Sequence, residues 1–282
     1  IVTFDRKSGT ISSLIYKGKT VIRRENEGIN GPALKAYRAP TDNNYYLKKK
    51  WLKAGLDRLR YRVKDFKITK VKPGEIQVFV QITCSGTEES GFEHRCIYTV
   101  TGNGKIRVEN KITSFGELPI LPKLGVQMTA PGAFENFRWY GRGPHENYPD
   151  RKMSAFIGIY QAKVADLYVP YVRPQETGGR QDVRWAVLLD EAGDGLMIVM
   201  EKPLSVTALN YSAADLDKAT HIHELTPRDD IILSIDTWQL GLGNGSCGPG
   251  VIDKYTRYPG SFDFCFYICP YAAKGGDSLL KP

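Results

Sequence analysis

Apolar residues recur at every second position along most of the chain, the period of strands with one buried face and one wet face. Ile76, Val78, Val80, Ile82 and Cys84 form one stripe, Leu124, Val126 and Met128 a second, and Phe262, Phe264, Phe266 and Ile268 a third. Each predicts a strand turned toward a core. Cys96, Tyr98 and Val100 are followed by Ile106 and Val108 across Gly102-Asn103-Gly104. Those loop residues tolerate positive φ, so the two runs predict an antiparallel hairpin. Between Leu59 and Lys70 the stripe begins on Leu59, Tyr61 and Val63 but resumes on Phe66 and Ile68, a one-residue slip that predicts a bulge near Asp65. Helical pattern is sparse. Leu47–Gly55 predicts a short helix after Thr41 or Asp42, and Ser212-Ala213-Ala214-Asp215 is a capping box opening about two turns. Many strands, few helices and no proline-rich linker predict an all-β chain, residues 1–282 forming one large antiparallel sandwich domain.

Composition narrows the function without naming it. At 282 residues the chain is long enough to bury a core without disulfide staples. No apolar run approaches the roughly 20 residues that cross a bilayer, so no membrane partner is expected. The net charge of +8 raises the question of an anionic partner. Apart from Lys48-Lys49-Lys50, however, the basic residues are scattered among acids and form no nucleic-acid motif, so a solvated lysine-rich surface is expected and no nucleic acid. Cys84, Cys96, Cys247, Cys265 and Cys269 are odd in number and contain no CxxC pair, which argues against a zinc site or a full disulfide framework. Ile1 opens the chain without Met and without a signal-peptide pattern, so a piece of a longer polypeptide is expected. A cytoplasmic and a periplasmic bacterial address both stay open.

The densest polar and aromatic cluster is Trp139–Arg151, WYGRGPHENYPDR. Gly141, Gly143, Pro144 and Pro149 punctuate it into loop, which is expected to display Arg142, His145, Glu146, Asn147, Tyr148, Asp150 and Arg151. Aromatic rings with paired donors and acceptors suit a sugar, whereas Arg142, Asp150 and Arg151 equally suit ion pairs pinning a long loop. A second cluster, Tyr168–Trp185, carries Glu176, Arg180 and Trp185. Glu146 and Glu176 invite the carboxylate pair of a retaining glycosidase, about 5–5.5 Å apart, a distance that sequence does not supply. His221-Ile222-His223-Glu224 on a strand would put both imidazoles on one face, but no third ligand is evident and a structural role is expected. Gly241–Gly250, GLGNGSCGPG, lacks GKS/T and a following helix and is expected to project as a flexible loop. Cys247 near its tip has no neighbouring helix N-terminus or His to activate it.

Taken in order, several of these motifs carry a family likeness. Phe4-Asp5 with Ser8-Gly9, Arg38-Ala39-Pro40 with Asp42-Asn43, and Trp51 with Ala54-Gly55 lie in the first quarter. Gly141–Arg151, then Tyr171-Val172 with Pro174, Glu176, Gly178 and Arg180, then His221 and His223 before Leu225 follow. In this order and spacing the chain resembles the last domain of the large five-domain β-galactosidases of glycoside hydrolase family two. The resemblance implies a galactose-mutarotase-like supersandwich that is itself non-catalytic. It implies that the acid/base and nucleophile glutamates sit in an upstream (β/α)₈ barrel, the partner on which this domain packs. No helices alternate with buried strands here, so that barrel is not within this chain. The resemblance further implies that a late loop reaches the β-galactoside at the rim of the sugar site. Gly241–Gly250 is the matching segment, with Ser246-Cys247 where the family commonly has Trp after Ser. It implies no cofactor in this domain, Mg²⁺ or Na⁺ in the parent enzyme, and a homo-oligomeric parent. Two rival expectations stand beside it. One is an aldose 1-epimerase using His145, His221, His223, Glu146 and Glu176. The other is a carbohydrate-binding module using aromatics near Trp139 and Trp185.

Overall fold

The computed structural model describes residues 1–22 and 31–272. β1 (Val2–Asp5), β2 (Thr10–Tyr16) and β3 (Lys19–Ile22) make a small antiparallel sheet. The other strands are β4 (Ala33–Lys35), β5 (Arg60–Lys72), β6 (Glu75–Ser85), β7 (Gly91–Thr101), β8 (Ile106–Phe115) and β9 (Lys123–Ala130). They continue with β10 (Asn136–Gly143), β11 (Phe156–Lys163), β12 (Arg180–Leu189), β13 (Gly195–Leu209), β14 (Ile231–Gln239) and β15 (Ser261–Tyr271). These twelve join in one sheet, ordered β11-β10-β12-β13-β15-β8-β7-β6-β5, from which β14, β9 and β4 branch at β13.

β13 makes the branch because its two halves serve different neighbours. Gly195–Met200 pairs with β15, and Ser205–Leu209 pairs with β14. Pro203, which has no N–H to donate, lies in the stretch between the two pairings. The branch brings the stripe of β9 and β14 (Leu124, Val126, Leu233, Ile235) into the same core as Val80, Ile82, Ile112 and Phe266 of the main sheet. The result is an antiparallel supersandwich.

The local expectations hold with adjustments. β5 slips register between Val63 and Asp65, and β7 turns into β8 through Gly104 at φ +88°. Val78, Val80, Ile82 and Cys84 are buried, but Ile76 is 45% exposed and Ile68 57%, because the tip of the β5–β6 hairpin runs past the core. Thr41 and Asn44 form a capping box on a 3-10 turn, Asp42–Leu47, before the helix α1 (Lys48–Lys53). Ser212 and Asp215 cap α2 (Ala213–Lys218) as expected. Trp51 fixes α1 in place: its buried indole donates to the Ile120 carbonyl at 2.8 Å and meets Tyr37 edge-on. All five cysteines are free. No helix among the described residues is long and apolar enough to cross a membrane.

β7 and β8 bury a polar pair, with His94 Nε2 and Asn110 Oδ1 2.9 Å apart. Burial pulls the imidazole from its ordinary 6.5 down to about 4, so it folds neutral. In the unfolded chain it takes a proton below about pH 6.5, so there the unfolded state binds more protons. The stability this group confers is complete above pH 6.5 and is lost as pH falls toward 4, by an amount of order 3 kcal/mol. Urea unfolding at about pH 7.5 and about pH 4.5 should show that loss in the wild type and a clearly smaller one in His94→Gln. Equal losses would contradict the assignment.

Candidate functional site

The loops that carry most of the candidate residues gather at one end of the sandwich, and their geometry starts from Arg142 at the end of β10. Its guanidinium donates to Asp182 Oδ2 at 2.5 Å and to the carbonyls of Lys152 and Ala155 at 3.1 and 2.8 Å. Those bonds tie the base of loop 144–155. Burial works against ionisation of Asp182, but hydrogen bonds from Arg142 and Lys152 hold its carboxyl below the ordinary carboxylate value.

Inside the loop, Glu146 points inward and is only 6% exposed. One carboxylate oxygen accepts from Arg151 at 2.5 Å and from the Tyr171 hydroxyl; the other accepts from Thr177 Oγ1 at 3.0 Å and Gly178 N at 2.8 Å. Asn147 is fully buried and accepts from Gln181 N at 2.9 Å, while its own N–H donates to the Gly179 carbonyl. Tyr148 is buried between the guanidinium groups of Arg38 and Arg151, 5.9 and 5.8 Å from its ring centre. A Cβ on Gly179 would stand 3.0 Å from that ring, which is why the chain passes there as glycine. Three consecutive residues thus staple loop 144–151 to the entrance of β12.

The turn at Asp150 reaches the glycine loop. Its two carboxylate oxygens accept from Leu242 N at 2.9 Å and Gly243 N at 2.8 Å. Asn43 holds the far side, accepting from Ser246 Oγ at 2.6 Å. The backbone is pressed so close that a Cβ at Gly245 would lie 2.3 Å from the Asn43 carbonyl. From beneath, fully buried Arg38 donates to the carbonyls of Leu240 and Gly241 at 2.6 and 3.1 Å. Burial lowers the Arg38 pKa, and the same burial raises those of Glu176 and Asp236 beside it, even with Lys123 and Arg38 nearby. Lys123 reaches Asp236 at 3.3 Å, so two basic and two acidic side chains lie together under the loop. Above them opens a cleft of about 340 Å³ bordered by Asn43, Asp150, Arg151, Gly243 and Tyr255.

Several sequence expectations are corrected here. Glu146, Asn147 and Tyr148 are not displayed: they are the buried pins of the loop. Trp139 and Trp185 are 1% and 4% exposed, so neither offers a ring to a ligand. Trp185 packs with Val187 and Met197 in a second, smaller core on the opposite face of the main sheet. Arg180 donates to the carbonyls of Gly178 and Gly179 and covers the Trp139 ring; burial lowers its pKa to about 10, still cationic at neutral pH. Neither Glu146 nor Glu176 borders the loop-end cleft, and the four donors on Glu146 leave it no room to act as a nucleophile. His221-Ile222-His223-Glu224 does not lie on a strand. Ile222–Glu224 is an exposed 3-10 turn, with the two imidazoles stacked and His221 paired to Glu224. Among the described residues no group of three or more His, Cys, Asp or Glu could hold a metal.

His145, bonded to Ser154, and Ser246 and Cys247 are the exposed members of the candidate set. Asp150, Asn43 and Arg38, which hold the loop, fall outside that set. Their signal was position: each sits in a short polar motif flanked by glycine or proline.

The sequence matches the family described as beta galactosidase small chain over residues 1–268. The β-galactosidase of Lactobacillus delbrueckii subsp. bulgaricus is 34% identical over 248 residues, 86% of this chain and 23% of that protein. Those of Priestia megaterium and Kluyveromyces lactis are each 30% identical, covering 85% and 93% of this chain and 22% and 25% of the relatives. The chain therefore spans about a quarter of the length of these relatives. In fold it is similar to galactose 1-epimerase from Lactobacillus acidophilus NCFM, with a TM-score of 0.51, 8% identity, and coverage of 96% of this chain and 91% of that one.

The geometry separates two kinds of substitution. Glu146→Ala strands Arg151, Thr177 and the Gly178 amide and should cost roughly 3 kcal/mol in urea unfolding, whereas exposed Cys247→Ala should stay within about 0.5 kcal/mol. Asp150→Ala should leave the fold intact but speed hydrogen exchange at the Leu242 and Gly243 amides by about ten-fold or more. Unchanged exchange at both amides would mean that Asp150 does not hold the loop.

Proposed function

The chain belongs to the β-galactosidase small-chain family, and from that premise we propose that it is the non-catalytic domain that docks on the catalytic barrel of a β-galactosidase and sets a loop at the rim of its sugar site. The observation that carries this reading is the glycine loop itself, held by Asp150, Asn43 and Arg38 with Ser246 and Cys247 at its exposed tip. Holding a projecting loop on three sides serves no need of this domain's own core. It suits a loop that presents backbone and side-chain groups to a ligand shared with another domain.

The surroundings of the loop support docking. Tyr45 and Tyr46 are 42% and 55% exposed, Ile252 58% and Val172 89%. They are neighbours: Arg173 lies over the Tyr45 ring at 4.8 Å, and the Tyr46 ring abuts Gly245 and Gly250. Apolar side chains around a hydrogen-bonded polar loop have the make-up of an interface. In this reading the upstream barrel covers them, and the β-galactoside meets only Ser246, Cys247 and the cleft border. Arg142, His145, Glu146, Asn147, Tyr148, Glu176, Arg180 and Trp185 act by positioning. Any Mg²⁺ or Na⁺ and the homo-oligomeric contacts belong to the parent enzyme.

The pure chain should not hydrolyse an aryl β-galactoside, since the catalytic glutamates belong in this reading to the barrel and the Glu146 carboxylate is committed to four donors. In the parent enzyme, Asp150→Ala should lower kcat/KM for lactose by about ten-fold or more, while Cys247→Ala should change it by less than about three-fold. Hydrolysis by the pure chain, or an unaltered kcat/KM in the Asp150→Ala enzyme, would overturn the proposal.

A further inference from the structure

The fork of β13 opens a second and larger cleft, of about 660 Å³, within the range of small-molecule sites. It exists because β13 leaves β15 after Met200, opposite Phe266. Among the described residues, Ser261–Cys265 of β15 is then paired with β8 alone, so one row of strand-edge backbone groups borders the opening. The cleft shares no lining residue with the one at the glycine loop.

Its walls come from the outward positions of neighbouring strands. Phe79, Ile97, Glu109 and Cys265 stand in one cross-strand row over β6, β7, β8 and β15. Arg95, Lys111 and Asp263 make the next row. Pro203 and Leu204 close the side at the fork. The charged lining is balanced, with Arg95, Lys111 and Lys202 against Glu109, Glu201 and Asp263. A phosphate or sulfated ligand would need an excess of cations, and a polyamine the reverse. Donors and acceptors present in equal number beside apolar surface suit a ligand with many neutral hydroxyls and apolar C–H faces.

One acceptor is already oriented. Glu201 Oε1 accepts from Arg107 Nε at 2.9 Å and from the Tyr267 hydroxyl at 3.0 Å, and Arg107 also pairs with Glu109. The hydrogen bond from Arg107 holds the Glu201 carboxyl below its ordinary pKa, so it stays ionised. Half-buried Phe79 supplies a ring on the opposite side.

We propose that this fork cleft is a second carbohydrate-binding site, for a neutral oligosaccharide held between Phe79 and the Glu201 to Arg95 rim. The site is separate from the chemistry of the glycine loop and does not depend on the role given to that loop.

Calorimetric titration of the chain with lactose and with a β-1,4-linked galactotetraose tests it. Saturable binding is expected, tighter for the tetrasaccharide. Phe79→Ala and Arg95→Ala should each weaken it at least about ten-fold. Arg95 is exposed, so its variant leaves the core untouched, and an unchanged thermal midpoint confirms that. Asp150→Ala, at the other cleft, should bind as the wild type does. Absence of binding at about 20 mM of either sugar, wild-type affinity in both fork variants, loss in Asp150→Ala alone, or tighter binding of a sulfated tetrasaccharide would each overturn the proposal.

Discussion

The carboxylate of Glu146 is shut away from water, and a buried carboxylate is tolerable only when donors surround it. Four do so, drawn from the loop after β10, from Tyr171 and from the Thr177-Gly178 entrance to β12. One desolvated charge therefore fixes three segments at once. The same requirement recurs beneath the glycine loop, where Arg38 meets two backbone carbonyls and Lys123 meets Asp236. Because Glu146 and Arg38 are each bound to backbone as well as to side chains, the loop end is organised by satisfied charge more than by apolar packing. Once Asp150 is placed by the staple, its two oxygens fall where Leu242 and Gly243 can donate to them.

Sheet architecture sets where that organisation can occur. β13 serves both the long row of strands and the branch that folds over the core, and the corner between them carries Pro203. The corner has two effects. It closes the sandwich, bringing β14 and β9 over the main sheet and sending the chain out through Gln239 into the glycine loop. Among the described residues it also leaves part of β15 unpaired on one side, which is the origin of the fork cleft.

How much of this was legible in the sequence depended on the range of the interaction. The stripes, apart from Ile68 and Ile76 at the exposed β5–β6 tip, the Asp65 bulge and the Gly104 hairpin depend on neighbours in the chain and were read correctly. Glu146, Asn147 and Tyr148 were read as displayed, because glycine and proline mark a loop but do not say which way its side chains turn. Their partners, Tyr171, Gly178 and Gln181, lie more than twenty residues away. Trp185 left a usable sign. Val183–Leu189 is nearly continuous apolar sequence, the mark of a strand covered on both faces, and that argues against an exposed ring. The histidine pair, read as structural with a strand only as a condition, lies on an exposed turn, because a two-residue period fits both equally well over four residues. The fork had only Pro203 as its sign.

The central claim is that the glycine loop works at the border of a site completed by another domain. Cys247, exposed at the tip of that loop, allows a direct test in the parent enzyme, with Cys247→Ser as the control for other cysteines. A bulky maleimide on Cys247 should abolish hydrolysis of lactose, and galactose should slow the labelling. Complete labelling of Cys247 with kcat/KM unchanged would contradict the account.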